Sequence, residues 1–137
     1  MAVTIELGFV PPEWPDSVDR PLDWVAAACA ILGENLVYLS ARALGGSLST
    51  FPRPRQHGEL VVRGPYRWAR HPIYGGGILF FLGWALYAGP LAVLGVAALA
   101  ALWVGKSRLE ERLLAERYPD YEAYRRETPR RFVPFIA

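Results

Sequence analysis

The chain contains a single cysteine, Cys29, among 137 residues. One thiol can form neither an intramolecular disulfide nor a thiolate metal cluster, so we expect no disulfide framework and no metal site. Cys29 lies in an apolar run, where we expect it to serve packing. The first twenty residues also lack the basic start and apolar core of a secretory signal peptide. We expect them to form a loop or a short surface helix.

Charged side chains are absent from residues 73–104, which are interrupted only by the turn signal Gly89-Pro90. Each half has roughly 15 residues, slightly fewer than a spanning helix needs, so flanking residues must extend both helices. An earlier segment, 22–41, is apolar apart from Asp23, Glu34 and Asn35. With 53% hydrophobic residues and a mean hydropathy of +0.15, the sequence predicts one all-α domain. We expect an integral membrane helical bundle of about three transmembrane helices and a C-terminal amphipathic tail.

The distribution of basic residues predicts the orientation of this bundle. Fourteen of the fifteen Lys and Arg residues fall in 42–70 or after residue 105, whereas the stretch before the first span carries one arginine. Loops rich in Lys and Arg stay in the cytoplasm. We therefore expect an extracytoplasmic segment at 1–21, spans at 22–41, 72–88 and 91–107, a cytoplasmic loop at 42–71 and a cytoplasmic tail at 108–137. The basic residues flank membrane segments, and no nucleic-acid-binding module is recognisable, so we expect no nucleic-acid partner.

Two polar clusters flank the predicted hairpin. Arg70-His71 precedes the helix that Pro72 can start, because proline suits a first helical position. Glu110-Glu111 follows the second apolar segment. The first helix rises roughly 25 Å and the second descends roughly 29 Å, at 1.5 Å per residue. The two clusters are therefore expected to meet at one water-facing surface.

The motifs around these clusters resemble a known superfamily. They are Leu60-Val61-Val62-Arg63-Gly64-Pro65-Tyr66, Arg70-His71-Pro72-Ile73-Tyr74 and Glu110-Glu111. The pattern is similar to that of the isoprenylcysteine carboxyl methyltransferase and phospholipid methyltransferase superfamily. The resemblance extends from about Ala41 to the C-terminus, including Tyr121, Tyr124 and residues 131–135. It implies an integral membrane enzyme whose cofactor is S-adenosyl-L-methionine.

The resemblance, together with the chemistry and position of the residues themselves, gives candidate site residues. Those expected to bind the cofactor are Gly58, Glu59, Leu60, Val61, Tyr66, His71, Pro72, Ile73, Tyr74 and Glu110. The catalytic candidates are Arg70, His71 and Glu111, and the candidates for substrate contact are Lys106, Arg108 and Glu34. A helix start favours an anion such as the methionine carboxylate, whereas the Glu110 carboxylate suits an ammonium group or ribose hydroxyls. Arg70 can hold an acceptor carboxylate through two hydrogen bonds.

The expected acceptor is a lipophilic molecule that arrives through the bilayer. The Arg-His-Pro-x-Tyr form and the Arg-Phe-Val-Pro-Phe ending favour carboxyl O-methylation of an isoprenylcysteine-type compound. Amine methylation of a phospholipid head group and a non-catalytic scaffold role are the alternatives. An amine acceptor must be neutral and can require a base, whereas a carboxylate needs little acid–base help.

Three further features have open interpretations. Exposure of the Glu34 and Asn35 side chains to lipid is unfavourable in free energy, so both are expected to face the bundle. There they can contact the substrate, contact a second copy in a dimer, or form a structural hydrogen bond. We expect a homo-oligomer whose interface includes this helix. Gly75-Gly76-Gly77 predicts close approach of a helix or of the cofactor. After Glu111 we expect a helix to about Tyr118 and a second helix from Pro119 to about Glu127 that covers the cofactor.

Overall fold

The computed structural model describes residues 13–47 and 60–132. These ranges form four α-helices, which are α1 (Asp16–Leu44), α2 (Pro72–Ala88), α3 (Pro90–Arg117) and α4 (Tyr121–Glu127). Short 3₁₀ turns occupy Gly45–Ser47 and Gly64–Arg67, and the described ranges contain no strand. The prediction of an all-α helical bundle is confirmed.

The first helix is longer than the sequence suggested. It begins at Asp16 and contains Pro21, so the expectation of a loop or a short surface helix is wrong for residues 16–20. A proline near the start of a helix removes one backbone hydrogen bond and leaves the following turns intact. The helix ends at Gly45, which adopts a positive φ of 50°.

The helices have the composition of a membrane protein. Pro21–Leu44 within α1 and Pro90–Arg117 are each long and apolar enough to cross a membrane, while α2 is a shorter apolar helix of 17 residues. Their outward surfaces expose large apolar side chains, among them Trp24, Leu94 and Leu102. An apolar surface this extensive is unfavourable in water and natural in lipid.

Small residues let α1 and α2 pack backbone to backbone. A Cβ atom added to Gly83 would lie 2.5 Å from the carbonyl oxygen of Ala26, and one added to Gly33 would lie 2.6 Å from that of Gly76. Close helix contacts of this kind are typical of membrane bundles, where packing replaces the hydrophobic effect between helices. At the far end of the pair, the indole N–H of Trp14 donates a hydrogen bond of 2.7 Å to the carbonyl of Leu86.

The three consecutive glycines of α2 contact three different neighbours. A Cβ at Gly75 would overlap the backbone of Phe132, one at Gly76 would lie 2.9 Å from Val37 in α1, and one at Gly77 would lie 2.7 Å from the Trp103 ring in α3. Successive helical residues point about 100° apart, so three consecutive glycines allow α2 to be approached closely from three sides. The predicted close approach is therefore made by other parts of the chain.

A tight turn reverses the chain between α2 and α3. Gly89 has a φ of 119°, a value that glycine adopts without strain. Pro90 follows as the first residue of α3, where its missing N–H costs nothing. The resulting hairpin brings the glutamates of α3 beside the start of α2.

Candidate functional site

Glu111 lies at the centre of an ion cluster. Its Oε1 accepts a hydrogen bond of 2.9 Å from Nε of Arg70 and lies 3.2 Å from Nε2 of His71. Its Oε2 accepts a bond of 3.1 Å from Nη2 of Arg131. The side chain is only 8% exposed. Three basic groups therefore surround one buried carboxylate.

The residues that follow α4 are fastened to the start of α2. We call residues 128–132 the closing segment. Nη1 of Arg70 donates to the carbonyls of Thr128 at 2.8 Å and Pro129 at 2.6 Å. The backbone N–H of His71 also donates to the carbonyl of Arg131 at 2.7 Å. Because the Arg70 guanidinium already binds several protein oxygens, it fixes the closing segment, and its predicted contact with an acceptor carboxylate stays a prediction.

Glu110 has a different environment from its neighbour. Its Oε1 accepts a hydrogen bond of 2.6 Å from the Tyr74 hydroxyl and lies 3.9 Å from Nζ of Lys106. Its Oε2 lies 3.5 Å from Nδ1 of His71. The Glu110 side chain is 17% exposed, about twice as much as that of Glu111. Of the two carboxylates, Glu110 is the more exposed.

His71 lies between these carboxylates, one at each ring nitrogen. Burial alone would lower its pKa, but hydrogen bonds and charge from Glu110 and Glu111 outweigh burial, so the pKa of His71 is raised. A protonated imidazole donates from both nitrogens, which matches an acceptor on each side. Each ring nitrogen of His71 therefore faces a carboxylate, an arrangement that favours the protonated ring.

Stacked rings line the membrane side of the cluster. The His71 and Tyr74 rings are nearly parallel, with centroids 5.6 Å apart, and Tyr74 stacks on Trp103 at 5.4 Å. Phe132 of the closing segment contacts both His71 and Tyr74 edge-on. Nζ of Lys106 lies 5.3 Å from the centroid of the Tyr74 ring. These rings exclude water from one side of the polar groups.

The 3₁₀ turn before α2 and helix α4 cover the other side. The Tyr124 hydroxyl donates a bond of 2.7 Å to the carbonyl of Tyr66, and both side chains are buried. Burial raises the pKa of both phenols, so they remain neutral. An open cavity of about 440 Å³ lies between residues 60–67 and α4, with Leu60 and Thr128 in its wall.

The structure brings together most of the predicted site. The ion cluster contains Arg70, His71, Glu110 and Glu111, with Tyr74 and Lys106 adjoining it. Three neighbours are buried (Val61, Tyr66 and Pro72), and two are half-buried (Leu60 and Ile73). Arg108 is exposed on α3, and its predicted substrate contact stays a prediction. Gly58 and Glu59 lie outside the described residues.

Glu34 and Asn35 do not face the bundle. Both are exposed on α1, whose packed side is formed by Ala26, Gly33 and Ser40, so that prediction is wrong. Hydropathy marks large apolar residues, whereas close helix packing here uses small ones. The predicted substrate contact of Glu34 stays a prediction.

The cluster includes groups that the sequence did not suggest. The carbonyls of Thr128 and Pro129 and the side chain of Arg131 complete it. Arg131 belongs to the terminal motif that resembles the superfamily, and the motif was the one sequence signal for it. The local sequence did not indicate that its partner is Glu111. Within the part of the chain that the structure describes, no group of three His, Cys, Asp or Glu side chains is arranged to hold a metal ion.

Comparison with known proteins gives a family match over most of the chain. Residues 22–121 match the family model described as phospholipid methyltransferase. This range includes α1 beyond its first six residues and all of α2 and α3, and it extends to Tyr121. It contains every described member of the ion cluster except the closing segment.

Two curated bacterial proteins are similar in sequence. The cobalt-zinc-cadmium resistance protein CzcN of Cupriavidus metallidurans is 37% identical over an alignment of 101 residues that covers 66% of this chain and 47% of that protein. The nickel-cobalt-cadmium resistance protein NccN of Alcaligenes xylosoxydans xylosoxydans is 27% identical over an alignment of 127 residues that covers 85% of this chain and 53% of that protein. The chain thus spans about half the length of the curated relatives it matches.

Proposed function

Because the chain belongs to the phospholipid methyltransferase family, we propose that it is a membrane methyltransferase that uses S-adenosyl-L-methionine to methylate a lipophilic acceptor. The observation that carries this proposal is the pair of unlike carboxylates beside the aromatic rings. Glu111 is enclosed by basic groups, whereas the Glu110 side chain is more exposed and is oriented by a hydrogen bond from Tyr74.

The residues at this surface fit the chemistry of the cofactor. Among the described residues, no side chain caps the N-terminus of α2, so its first free N–H groups suit the methionine carboxylate. The Glu110 carboxylate suits the ammonium group or the ribose hydroxyls. When bound, S-adenosyl-L-methionine would supply a methyl group on a sulfonium sulfur: a nucleophilic oxygen or nitrogen would bond to the methyl carbon as the S–CH3 bond breaks, and S-adenosylhomocysteine would leave as a neutral thioether.

The two glutamates then have separate roles. Glu110 is a binding residue, oriented by the Tyr74 hydroxyl. Glu111 and Arg70 are positioning residues, since they hold His71 and the closing segment in place. The aromatic rings and α4 exclude water, and alignment with water exclusion provides most of what a methyl displacement requires.

We propose a carboxylate acceptor of the isoprenylcysteine type. A carboxylate oxygen attacks without releasing a proton, so the site needs no base. His71 supports this choice, because both of its ring nitrogens already face carboxylates within the cluster. Lys106, which is half-buried beside Tyr74, is positioned to attract the acceptor carboxylate. Amine methylation of a phospholipid is the alternative, with Glu110 as the group that accepts the proton.

Product chemistry separates these acceptors. Membranes containing the protein are incubated with methyl-labelled cofactor and either N-acetyl-S-farnesylcysteine or phosphatidylethanolamine vesicles. A methyl ester releases volatile labelled methanol in alkali, whereas an N-methyl group does not. We expect alkali-labile label with the farnesylated acid. Alkali-stable label on the phospholipid would favour the amine reaction, and no transfer to either acceptor, with no cofactor binding, would favour a scaffold role.

We propose that the N-terminus is outside and the C-terminus is in the cytoplasm, as the arginine distribution predicts. The test replaces Cys29 with alanine and introduces Glu13→Cys or Arg126→Cys, both at exposed positions. A membrane-impermeant maleimide should label Glu13→Cys from outside sealed cells and Arg126→Cys only after lysis. Labelling of both from one side would contradict a three-span arrangement.

A role in metal resistance is a second candidate, and the names of both relatives, which are metal resistance proteins, favour it. We propose that methylation of a membrane component contributes to tolerance of divalent metals. Deletion of the gene should lower growth in cobalt, zinc or cadmium, and the unmodified gene should restore it. A Glu110→Gln gene that restores growth equally well would exclude methyl transfer as the cause.

A further inference from the structure

Two polar side chains lie near the middle of α1 on its outer surface. Glu34 is thirteen residues beyond Pro21 and ten before Leu44, which places it roughly 20 Å and 15 Å from the two ends. Among the described residues Glu34 has no hydrogen-bond or ion-pair partner. Asn35 donates one N–H to the carbonyl of Ile31 at 2.7 Å and has an unused carbonyl oxygen and a second N–H. At the centre of a bilayer such groups are costly unless another polar group satisfies them.

The outward surface of α1 has the spacing of a helix-pairing stripe. Its members are separated by four and three residues in alternation, all are exposed, and they lie opposite the side that packs on α2. These residues, the outer stripe, are Trp24, Ala28, Ile31, Asn35, Tyr38 and Arg42. This is the a and d spacing of a parallel helix pair, and Asn35 occupies an a position. A single asparagine at such a position fixes both register and partner number.

We propose that a second copy of this chain covers the outer stripe and forms a parallel, two-fold symmetric pair through α1. Copies inserted in one membrane share an orientation, so two α1 helices meet in parallel. An asparagine side chain carries both a donor and an acceptor and can therefore bond to an identical side chain across a two-fold axis. Glu34 precedes the a position and lies beside the partner's Asn35, whose second N–H it can accept.

The second copy explains more than lipid does. Lipid chains would cover the apolar members of the stripe but would leave Glu34 and Asn35 without polar contacts. A symmetric pair satisfies both residues at one level of the bilayer. The side of α1 that packs on α2 is not disturbed, because the outer stripe lies on the opposite surface.

Oxidative crosslinking in native membranes tests the pairing. In a Cys29→Ala background, Ile31→Cys places a thiol in the outer stripe at a residue that is 60% exposed, and Leu102→Cys places one on α3 at a residue that is 64% exposed. We expect a disulfide-linked pair of identical chains with Ile31→Cys and monomer with Leu102→Cys. Equal crosslinking of both variants, monomer with both, or a product containing a different protein would overturn the proposal.

Energy transfer between labelled copies in vesicles measures the strength of the pair. Asn35→Leu should weaken pairing about 5- to 30-fold, as expected for the loss of interhelical hydrogen bonds in a membrane. Leu94→Ala, at an exposed position on α3, should leave it unchanged. Unaltered or stronger pairing with Asn35→Leu, in protein with unaltered thermal stability, would overturn the role of the polar pair. Neither measurement uses methyl transfer, so failure here leaves the proposed activity standing.

Discussion

Arg70 and Glu111 are separated by 41 residues in sequence, yet Nε of the arginine donates to Oε1 of the glutamate at 2.9 Å. The contact joins the start of α2 to the polar end of α3. Through its other nitrogen, the same arginine binds the carbonyls of Thr128 and Pro129. Three parts of the chain are therefore held together by one guanidinium.

Glu111→Gln should destabilise the fold. The change leaves the buried charges of Arg70 and His71 without their counter-ion, and breaking a buried ion pair from one side costs about 3–5 kcal/mol. The measurement is the free energy of unfolding in mixed micelles by denaturant titration. Glu122→Gln is the matched control, because the Glu122–Arg125 pair is exposed and such pairs contribute about 0–1 kcal/mol. If the two variants lowered the free energy of unfolding equally, the buried cluster would contribute no more to stability than an exposed ion pair does.

Glu110→Gln should weaken cofactor binding while largely preserving stability. Loss of one charge-assisted contact at a partly dehydrated site costs roughly 1.5–3 kcal/mol, or about 10- to 150-fold in affinity. Calorimetric titration of solubilised protein with S-adenosyl-L-methionine gives the affinity. Tyr74→Phe should show a smaller loss, since it removes only the hydroxyl that orients Glu110. Arg126→Ala, which is exposed on α4, should bind as the unmodified protein does, and the same behaviour in Glu110→Gln would contradict this assignment.

Stability should depend on pH through His71. Its folded-state pKa is raised above the ordinary value of 6.5, so the folded state binds the proton more tightly than the unfolded state. The resulting stabilisation is complete below pH 6.5 and is lost as the pH rises through the folded-state pKa. The thermal midpoint of the unmodified protein, minus that of His71→Gln, should therefore decrease from pH 6 upward. A difference that grew with pH would contradict the sign of the shift.

Two glycine substitutions should have opposite effects. Gly33→Ala places a methyl group against the backbone of α2, and this overpacking should cost about 1–3 kcal/mol. Gly95→Ala has open space around it and should be neutral or stabilising by up to about 1 kcal/mol through helix propensity. Unfolding of both variants in the same micelles provides the comparison. If both variants were destabilised, the loss of stability in Gly33→Ala could not be attributed to the close contact between α1 and α2.

The sequence predicted the elements that strong local signals mark. The predicted helix boundaries at Pro72, Gly89-Pro90 and Pro119 agree with the structure. Proline and glycine restrict or permit backbone conformations by themselves, so their effect needs no tertiary contact. The meeting of His71 with Glu110 and Glu111 followed from helix lengths alone. These parts of the candidate site could be derived before any coordinates.

Other features depended on tertiary contacts that no local pattern contains. The side of α1 that packs on α2 is determined by Ala26, Gly33 and Ser40, which have little hydropathy signal. Glu110 and Glu111 have different environments because different residues surround them in space. Arg131, for example, donates a hydrogen bond to Glu111. Adjacent, chemically identical residues cannot be distinguished by sequence in this respect.

The glycine run of α2 has a consequence for motion. Gly75, Gly76 and Gly77 each lie against a different neighbour, at distances that leave no room for a methyl group. Turning α2 about its own axis by one residue would drive a side chain into the backbone of the closing segment or of α1, so its angular position is locked. Rotation of α2 therefore cannot open the ion cluster, and the α1–α2 pair remains a fixed frame beneath it.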